Sequence, residues 1–585
     1  MRYIHITLSS ILLFLTLVSC DEDFLDRPPK DNVDADFFFN TPKDLEVATN
    51  DFYTMLPTKS VYTDDAASDN IIPLIASERI RGGRIVPTRR GSGGWSWGNL
   101  RDINFFLEHY QKVEDEEAKK TYGGVARFFR ALFYFNKVKR FGDVPWYNHV
   151  LSADDEDLYK SRDSRQLIMD SVMMDIDYAI ANMTDEKELN LVTKYTALLL
   201  KSRIGLFEGT FRKYHGLPNH EKMLQHAVDA AEELIESGAY QLYTAGGPDE
   251  AYRNLFSRDN QDAVETILAA DYEKGIRTHN LGYLMTAPTQ GAYGINKDLI
   301  NSYLMKDGSR FTDIDGYETI EYYEEMQNRD PRLTQTTAGP GFTVNGESEP
   351  EPVKLEGATT GYRVIKALPS KDQWSSAHFD IIVYRYAEAL LNLAEAKAEL
   401  GTITQADLDK TINLLRDRVG MPHLNLTEAN GNPDPYLANM YPNVEQGAYQ
   451  GVILEIRRER RIELFNEGLR WDDLMRWKEG SKIEKPMVGI YFSDLGAHDF
   501  NKDGSPDVYL HDGNPSGAPS SATSIINVQQ RILRDPITGN SPTNSGNLNP
   551  FPLGGSFDES KDYFYPIPIE ELKLNPQLEQ NPNWN

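Results

Sequence analysis

The stretch GGVARFFRALFYFNKVKRFGDVP, residues 123–145, decides the fold class. Its apolar residues recur at spacings of three and four, not two, which is the period of a helix. The run closes at Phe141-Gly142 with Pro145 beyond, a helix stop. Its face is aromatic and small together: Ala126, Phe129, Ala131 and Tyr134. Small residues at that spacing let a second helix approach closely.

Outward from this stretch the same style recurs. PKDLEVATNDFYTML (42–56) follows a Thr41-Pro42 start, and SRQLIMDSVMMDIDYAI (164–180) has Ser164 as a plausible N-cap. TKYTALLLKSRIGLFEGTF (193–211) with HEKMLQHAVDAAEELIESGAY (220–240) reads as a second helix pair. IVYRYAEALLNLAEAKAEL (382–400) with TQADLDKTINLLRDRVG (404–420) reads as a third, carrying Tyr386, Ala387, Leu390, Ala394 and Ala398. YQGVILEIRRERRIELFNEGLRWDDLMRWKEG (449–480) closes the helical set. Small-and-aromatic helix pairs are the composition of tetratricopeptide arrays, and the starts at 125 and 194 lie about two 34-residue repeats apart. A mostly α fold follows.

Between the pairs run long irregular stretches, 57–98, 241–295, 305–380 and 485–562. Loops of that length inside a folded chain tend to carry function. The 585 residues would suit three or four domains, but no low-complexity linker separates them, so one large body is expected. Asp and Glu number 89 against 61 Lys and Arg, a net charge of −28. Such a field repels phosphate backbones, which argues against nucleic acid as a partner.

LTLVSCDED holds the one cysteine. Ile4 to Val18 is mostly apolar, uncharged and too short to span a bilayer, so residues 1–19 read as a signal peptide. Leu17-Val18-Ser19-Cys20 resembles the bacterial lipobox, which makes Cys20 the lipidated first residue of the mature chain. No thiol then remains for disulfides, metal or nucleophilic catalysis.

Three constellations compete for function. In ERRIELFNEGLRWDDLMRW (459–477) Glu459, Glu463, Glu467, Asp472 and Asp473 crowd four arginines. Pairing of that kind lowers a carboxylate pKa, whereas a general acid needs it raised, so a structural ion network is the expected role. Sugar capture needs aromatic faces beside polar groups. Tyr62, Trp95, Trp97, Tyr283, Tyr293 and Trp374 lie in or flank the loops, and VYTDDAASDN (61–70) sets Tyr62 beside Asp65, Asp69 and Asn70. From these, Tyr62, Asp65, Asp69, Asn70, Trp95, Tyr283, Tyr293 and Trp374 are the candidate ligand residues, Trp97 being assigned to core packing. In HDFNKDGSPDVYL (498–510), Asp499, Asn501, Asp503 and Asp507 occupy positions 1, 3, 5 and 9 of an EF-type loop with Gly504 at 6. Calcium in a structural role and an ion-free Asx-rich turn are the two readings, since Leu510 replaces the bidentate Glu at position 12. No HExxH, phosphate loop or Gly-x-Ser-x-Gly elbow is present.

Six segments in order resemble one family: CDEDFLDRPPKD, ARFFRALFYFNKVKRFGDVPW, YRYAEALLNLAEAKAELG, INLLRDRVGMP, ERRIELFNEGLRWDDLMRWKEG and YFYPIPIEELKLNPQLEQNPNW. Together they are similar to the SusD/RagB outer-membrane lipoproteins of Bacteroidetes. The resemblance implies tetratricopeptide-like helix pairs packed against a loop-rich second part, with a first region at 20–245 and a second at 246–585. It further implies a binding protein and not an enzyme, tethered to the outer membrane through Cys20 and facing the exterior. Its partners would be an oligosaccharide, or a peptide as in RagB-type relatives, and a TonB-dependent SusC-like transporter. No cofactor is implied. The acids Asp21, Glu22 and Asp23 resemble the export signal of such lipoproteins.

Overall fold

The computed structural model describes residues 38–584, so the signal stretch, Cys20 and the acids after it lie outside the described residues. The first helix, α1 (Pro42–Asn50), opens with a capping box in which Thr41 and Asp44 satisfy each other's backbone. Next come α2 (Gly98–His109) and α3 (Glu116–Phe141). The decisive stretch is the second half of α3, which begins earlier because Asp115 caps it by accepting from Ala118 N. Gly142, at φ 73°, ends it where the sequence places the stop.

Three further helices complete the first array: α4 (Arg165–Asn182), capped by Ser164 as expected, α5 (Lys194–Tyr214) and α6 (His220–Glu236). Glycine makes the α5–α6 contact possible. A Cβ on Gly205 would stand 2.7 Å from Ala227 N, and one on Gly209 would stand 2.7 Å from Leu224 Cγ.

The third pair departs from expectation at its start. Ile381, Ile382 and Val383 are β-branched, and Ile381–Arg385 is a strand, not the first turn of a helix. The described strands are β1 (Ile71–Ile72), β2 (Thr266–Ala270), β3 (Gly294–Ile295), β4 (Ile381–Arg385), β5 (Tyr491–Phe492), β6 (Gly496–His498), β7 (Val508–His511), β8 (Ser524–Asn527), β9 (Leu533–Arg534) and β10 (Gly546–Leu548). They form four small sheets: β1-β3, β2-β4, β5-β10-β9 and β6-β7-β8. β4 pairs antiparallel with β2 and runs straight into α7 (Tyr386–Glu399). The expected helix over 404–420 is two pieces, a turn at Gln405–Asp409 and α8 (Ile412–Arg418). The final stretch also divides, into α9 (Gln450–Glu463) and α10 (Arg470–Arg476), because Asn466 and Gly468 take left-handed backbone between them.

Two large apolar cores and two smaller clusters result among the described residues. One collects the helix faces, including Phe129, Tyr134, Leu199, Leu390 and Leu454; the other lies under the loops around Tyr252, Tyr303, Tyr362 and Ile381. Helix α9 serves both, with Leu454 in the first and Ile462 in the second. Among the described residues no helix is long and apolar enough to cross a membrane.

Candidate functional site

Glu459, Glu463 and Glu467 have their cations, though not from the neighbours in sequence. Glu463 takes Arg418 at 2.5 Å, Arg385 at 2.8 Å and Arg332 at 3.3 Å. Glu459 takes Arg416 at 2.6 Å and Arg332 at 3.0 Å, and Glu467 takes Arg385 and Lys366, each at 2.6 Å. These cations outweigh burial and hold all three carboxyls below the ordinary range. None is in a state to donate a proton, so this helix does no general acid catalysis. Asp472 pairs with Lys139 at 2.5 Å, and Asp473 with Arg460 and Arg476 at 2.9 Å.

The same network absorbs three of the candidate ligand residues. Arg470 grips Asp69 through two bonds of 2.7 and 2.8 Å, and Arg461 reaches it at 3.3 Å. Asn70 accepts from Arg461 Nε at 2.9 Å and donates to Asp65 at 3.1 Å. Asp65 also accepts from Asn466 N at 2.8 Å, and burial raises its carboxyl to about 6. Tyr62 is 1% exposed, with its hydroxyl accepting from Ile382 N of β4. Tyr62, Asp65, Asp69 and Asn70 are therefore interior tie points, and the expectation that they read sugar hydroxyls is corrected. The arginines that need an anion took precedence over the surface.

The loop face holds the rest. The short helix Leu281–Thr286 presents Tyr283, 42% exposed. Gly282 is the residue that lets another loop close on this helix, since a Cβ there would stand 2.8 Å from Trp374 Cα. Trp374 is half-buried, its indole N–H donating to Pro369 O at 3.2 Å, with the Arg363 guanidinium 5.9 Å from the ring centre. Tyr293 packs under the other end of the helix, beside Gly291 and Leu284 O, and is 9% exposed. It supports the face and does not form it. Thr289, Gln290, Ser375 and Ser376 are exposed around these rings. The face also contains two residues that sequence reading passed over. Leu74 N donates to Gly291 O at 2.9 Å, which brings Leu74 and Ile75, 50% and 78% exposed, alongside. Unpatterned apolar residues in a loop give no periodic signal, so only their exposure identifies them.

Trp95 is elsewhere. It is 3% exposed, packed edge-on to Phe141 at 4.8 Å and to Trp97 at 5.4 Å, and forms the floor of a cleft of about 800 Å³ beside α2. At 3% exposure, Trp95 is corrected from loop platform to packing residue. At the EF-like loop, Asp499 accepts from Gly504 N, Asn501 from Asp503 N, Asp503 from Ser505 N and Asp507 from Phe500 N. The Asn501 and Asp503 bonds, each to the backbone two residues on, are chained Asx turns. Asp499, Asp503 and Asp507 do not converge within 4.8 Å of one another.

The helical scaffold thus locks Glu459, Glu463, Glu467 and Asp473 to basic side chains, and its loops expose aromatic and hydroxyl side chains. The sequence relationships agree. The family described as "SusD family" matches residues 253–584, and the one described as "Starch-binding associating with outer membrane" matches 88–207. The first spans more than half of the chain, which belongs to the SusD family and to its non-catalytic binding proteins. It is 23% identical over 503 residues to SusD-like protein P38 of Formosa agariphila, covering 82% of this chain and 92% of that one. A SusD-like protein of Bacteroides ovatus is 21% identical over 492 residues, covering 79% and 80%. A SusD-like protein from Bacteroides fragilis NCTC 9343 superposes with a TM-score of 0.69 at 21% identity, covering 95% of this chain and 99% of that one. A SusD-like carbohydrate binding protein from the same organism superposes at 0.68 with 22% identity, covering 93% and 100%.

Proposed function

We propose that the protein captures an oligosaccharide on the loop face around Leu281–Thr286 and hands it to a TonB-dependent, SusC-like transporter, held at the outer face of the outer membrane by acylated Cys20. The observation that carries the reading is the pairing of Tyr283 and Trp374 on adjoining backbone, one exposed and one half-exposed, with hydroxyl and amide side chains around them. Pyranose rings offer apolar C–H faces to aromatic rings and hydroxyls to polar neighbours, so such a face is selective for sugar without being charged. The descriptions of the second matching family and of the B. fragilis relative name starch and carbohydrate, which supports the same class. The mechanism is capture, retention and release.

Isothermal titration against panels of glycans and of peptides tests it. Glycan binding is expected, and Tyr283→Ala or Trp374→Ala should weaken it at least tenfold, a loss of about 1.4 kcal/mol typical of an aromatic anchor. The melting temperature should move little for Tyr283→Ala, because the ring is substantially exposed. Peptide binding with no glycan binding would overturn the reading, as would unchanged affinity in both folded variants.

A further inference from the structure

We propose that His149, Asp155 and Asp157 hold a divalent transition-metal ion of the zinc class at the rim of the cleft beside α2. The three stand on the segment joining α3 to α4. Their ligand atoms all lie within 4.8 Å of one another, the one such His/Cys/Asp/Glu cluster among the described residues. Each is positioned from outside the cluster or by the local turn. Asn104 of α2 donates to the carbonyls of Tyr147 and His149, both at 3.1 Å, and Glu108 accepts from Val150 N at 2.7 Å. Asp155 spends Oδ1 on Asp157 N at 2.9 Å, which leaves Oδ2 facing His149 Nε2 at 3.1 Å. Asp157 Oδ2 lies 4.0 Å from the same nitrogen.

The imidazole is set for a ligand role by its other nitrogen. His149 Nδ1 lies 3.3 Å from Asn148 Oδ1, an acceptor that a hydrogen on Nδ1 would use. In that tautomer Nε2 turns a lone pair toward two carboxylates, and in the other it donates to Asp155 Oδ2 at 3.1 Å. No lysine or arginine of the described residues forms an ion pair with either acid. A proton on Nε2 would satisfy one of the oxygens, whereas a metal ion satisfies both oxygens and the nitrogen. Zinc binds nitrogen and carboxylate oxygen at about 2.0–2.2 Å, which sets tetrahedral ligand atoms roughly 3.3 Å apart. The His149–Asp155 separation of 3.1 Å is close to this, and Asp157 Oδ2, at 4.0 Å from Nε2, would move inward to complete the set. Calcium, which takes six to eight oxygens, is a poor fit to this donor set. The ion would fasten the segment whose Leu151, Leu158 and Tyr159 wall the cleft opposite Trp97.

Zinc chloride titrated into the metal-stripped mature chain, followed by calorimetry and by melting temperature, decides the matter. One saturable zinc site per chain is expected, with a rise in melting temperature that calcium chloride does not reproduce. His149→Ala and Asp157→Asn should each lose at least tenfold in zinc affinity while melting as the zinc-free parent does. Asp155→Asn, which keeps the turn's acceptor, covers the case in which a variant unfolds. Absence of saturable zinc binding overturns the proposal. So does zinc binding that survives the substitutions, since it would then belong to another histidine.

Discussion

Asp69 shows what a single residue can conceal. Beside Tyr62 and between Asp65 and Asn70 it reads as a hydroxyl acceptor in a loop, and every local cue agrees. Its partners, Arg461 and Arg470, lie about 400 residues further on, and Lys482 adds a third cation at 3.7 Å. No local pattern reports such a pairing. Removing the carboxylate would leave two buried guanidinium groups without their anion, a loss of roughly 3–5 kcal/mol. Asp69→Ala is therefore expected to lower the urea midpoint sharply while leaving the glycan affinity of the folded fraction unchanged. An affinity loss in a fully stable variant would return Asp69 to the ligand face. The exposure of Tyr283 and Trp374 was legible for the opposite reason. Trp374 stands among Ser370, Lys371, Asp372, Ser375 and Ser376, and such company rarely surrounds a core ring.

Elements were legible where one periodicity governs. α3, α4, α5 and α6 are long and buried on one face, so their spacing locates them, though α3 begins ahead of its apolar run, at Glu116. β4 was not, because Ile381–Arg385 is buried throughout and continues without a break into α7. A short apolar run buried on both faces has no alternation to betray a strand. The closeness of α5 to α6 rests on Gly205, whose added Cβ would meet Ala227 N at 2.7 Å and Met223 O at 2.8 Å. Both atoms are helical backbone, which cannot rotate aside. Overpacking of this kind costs about 1–3 kcal/mol, offset by up to about 1 kcal/mol of helix propensity. Gly205→Ala is expected to destabilise by a net 1–2 kcal/mol, approximately, in denaturant titration. Gly431→Ala, where no atom lies within 4 Å, should be neutral or better. Equal effects at the two sites would remove close approach as the reason for glycine.

At the scale of the whole molecule the buried charges make stability a function of pH, and the sign differs between two groups. Asp69, Glu459, Glu463 and Glu467 are held below the usual carboxylate range by arginine and lysine, and Glu395 is drawn down to about 2 by Arg476. For these the folded state binds fewer protons than the unfolded one. Their stabilisation is complete above the unfolded values, near 4, and is lost as pH falls below them. Glu395 alone accounts for roughly 3 kcal/mol by the size of its shift. Asp65 and Glu479 run the other way, because burial raises them to about 6 and about 7 despite Asn70 and Arg457 nearby. Their folded forms favour the proton, so their contribution is greatest below pH 4 and disappears as pH rises through 6 to 7. Buried His215, held at about 4, with His226 and His279 also lowered by burial, adds stability as pH rises toward 6.5 and so opposes Asp65 and Glu479. Urea midpoints are therefore expected to differ little between pH 5 and pH 7.5 and to be much lower at pH 3, the slope of the transition staying constant if only stability changes. A midpoint that holds from pH 5 to pH 3 would mean that the arginine network does not carry the fold.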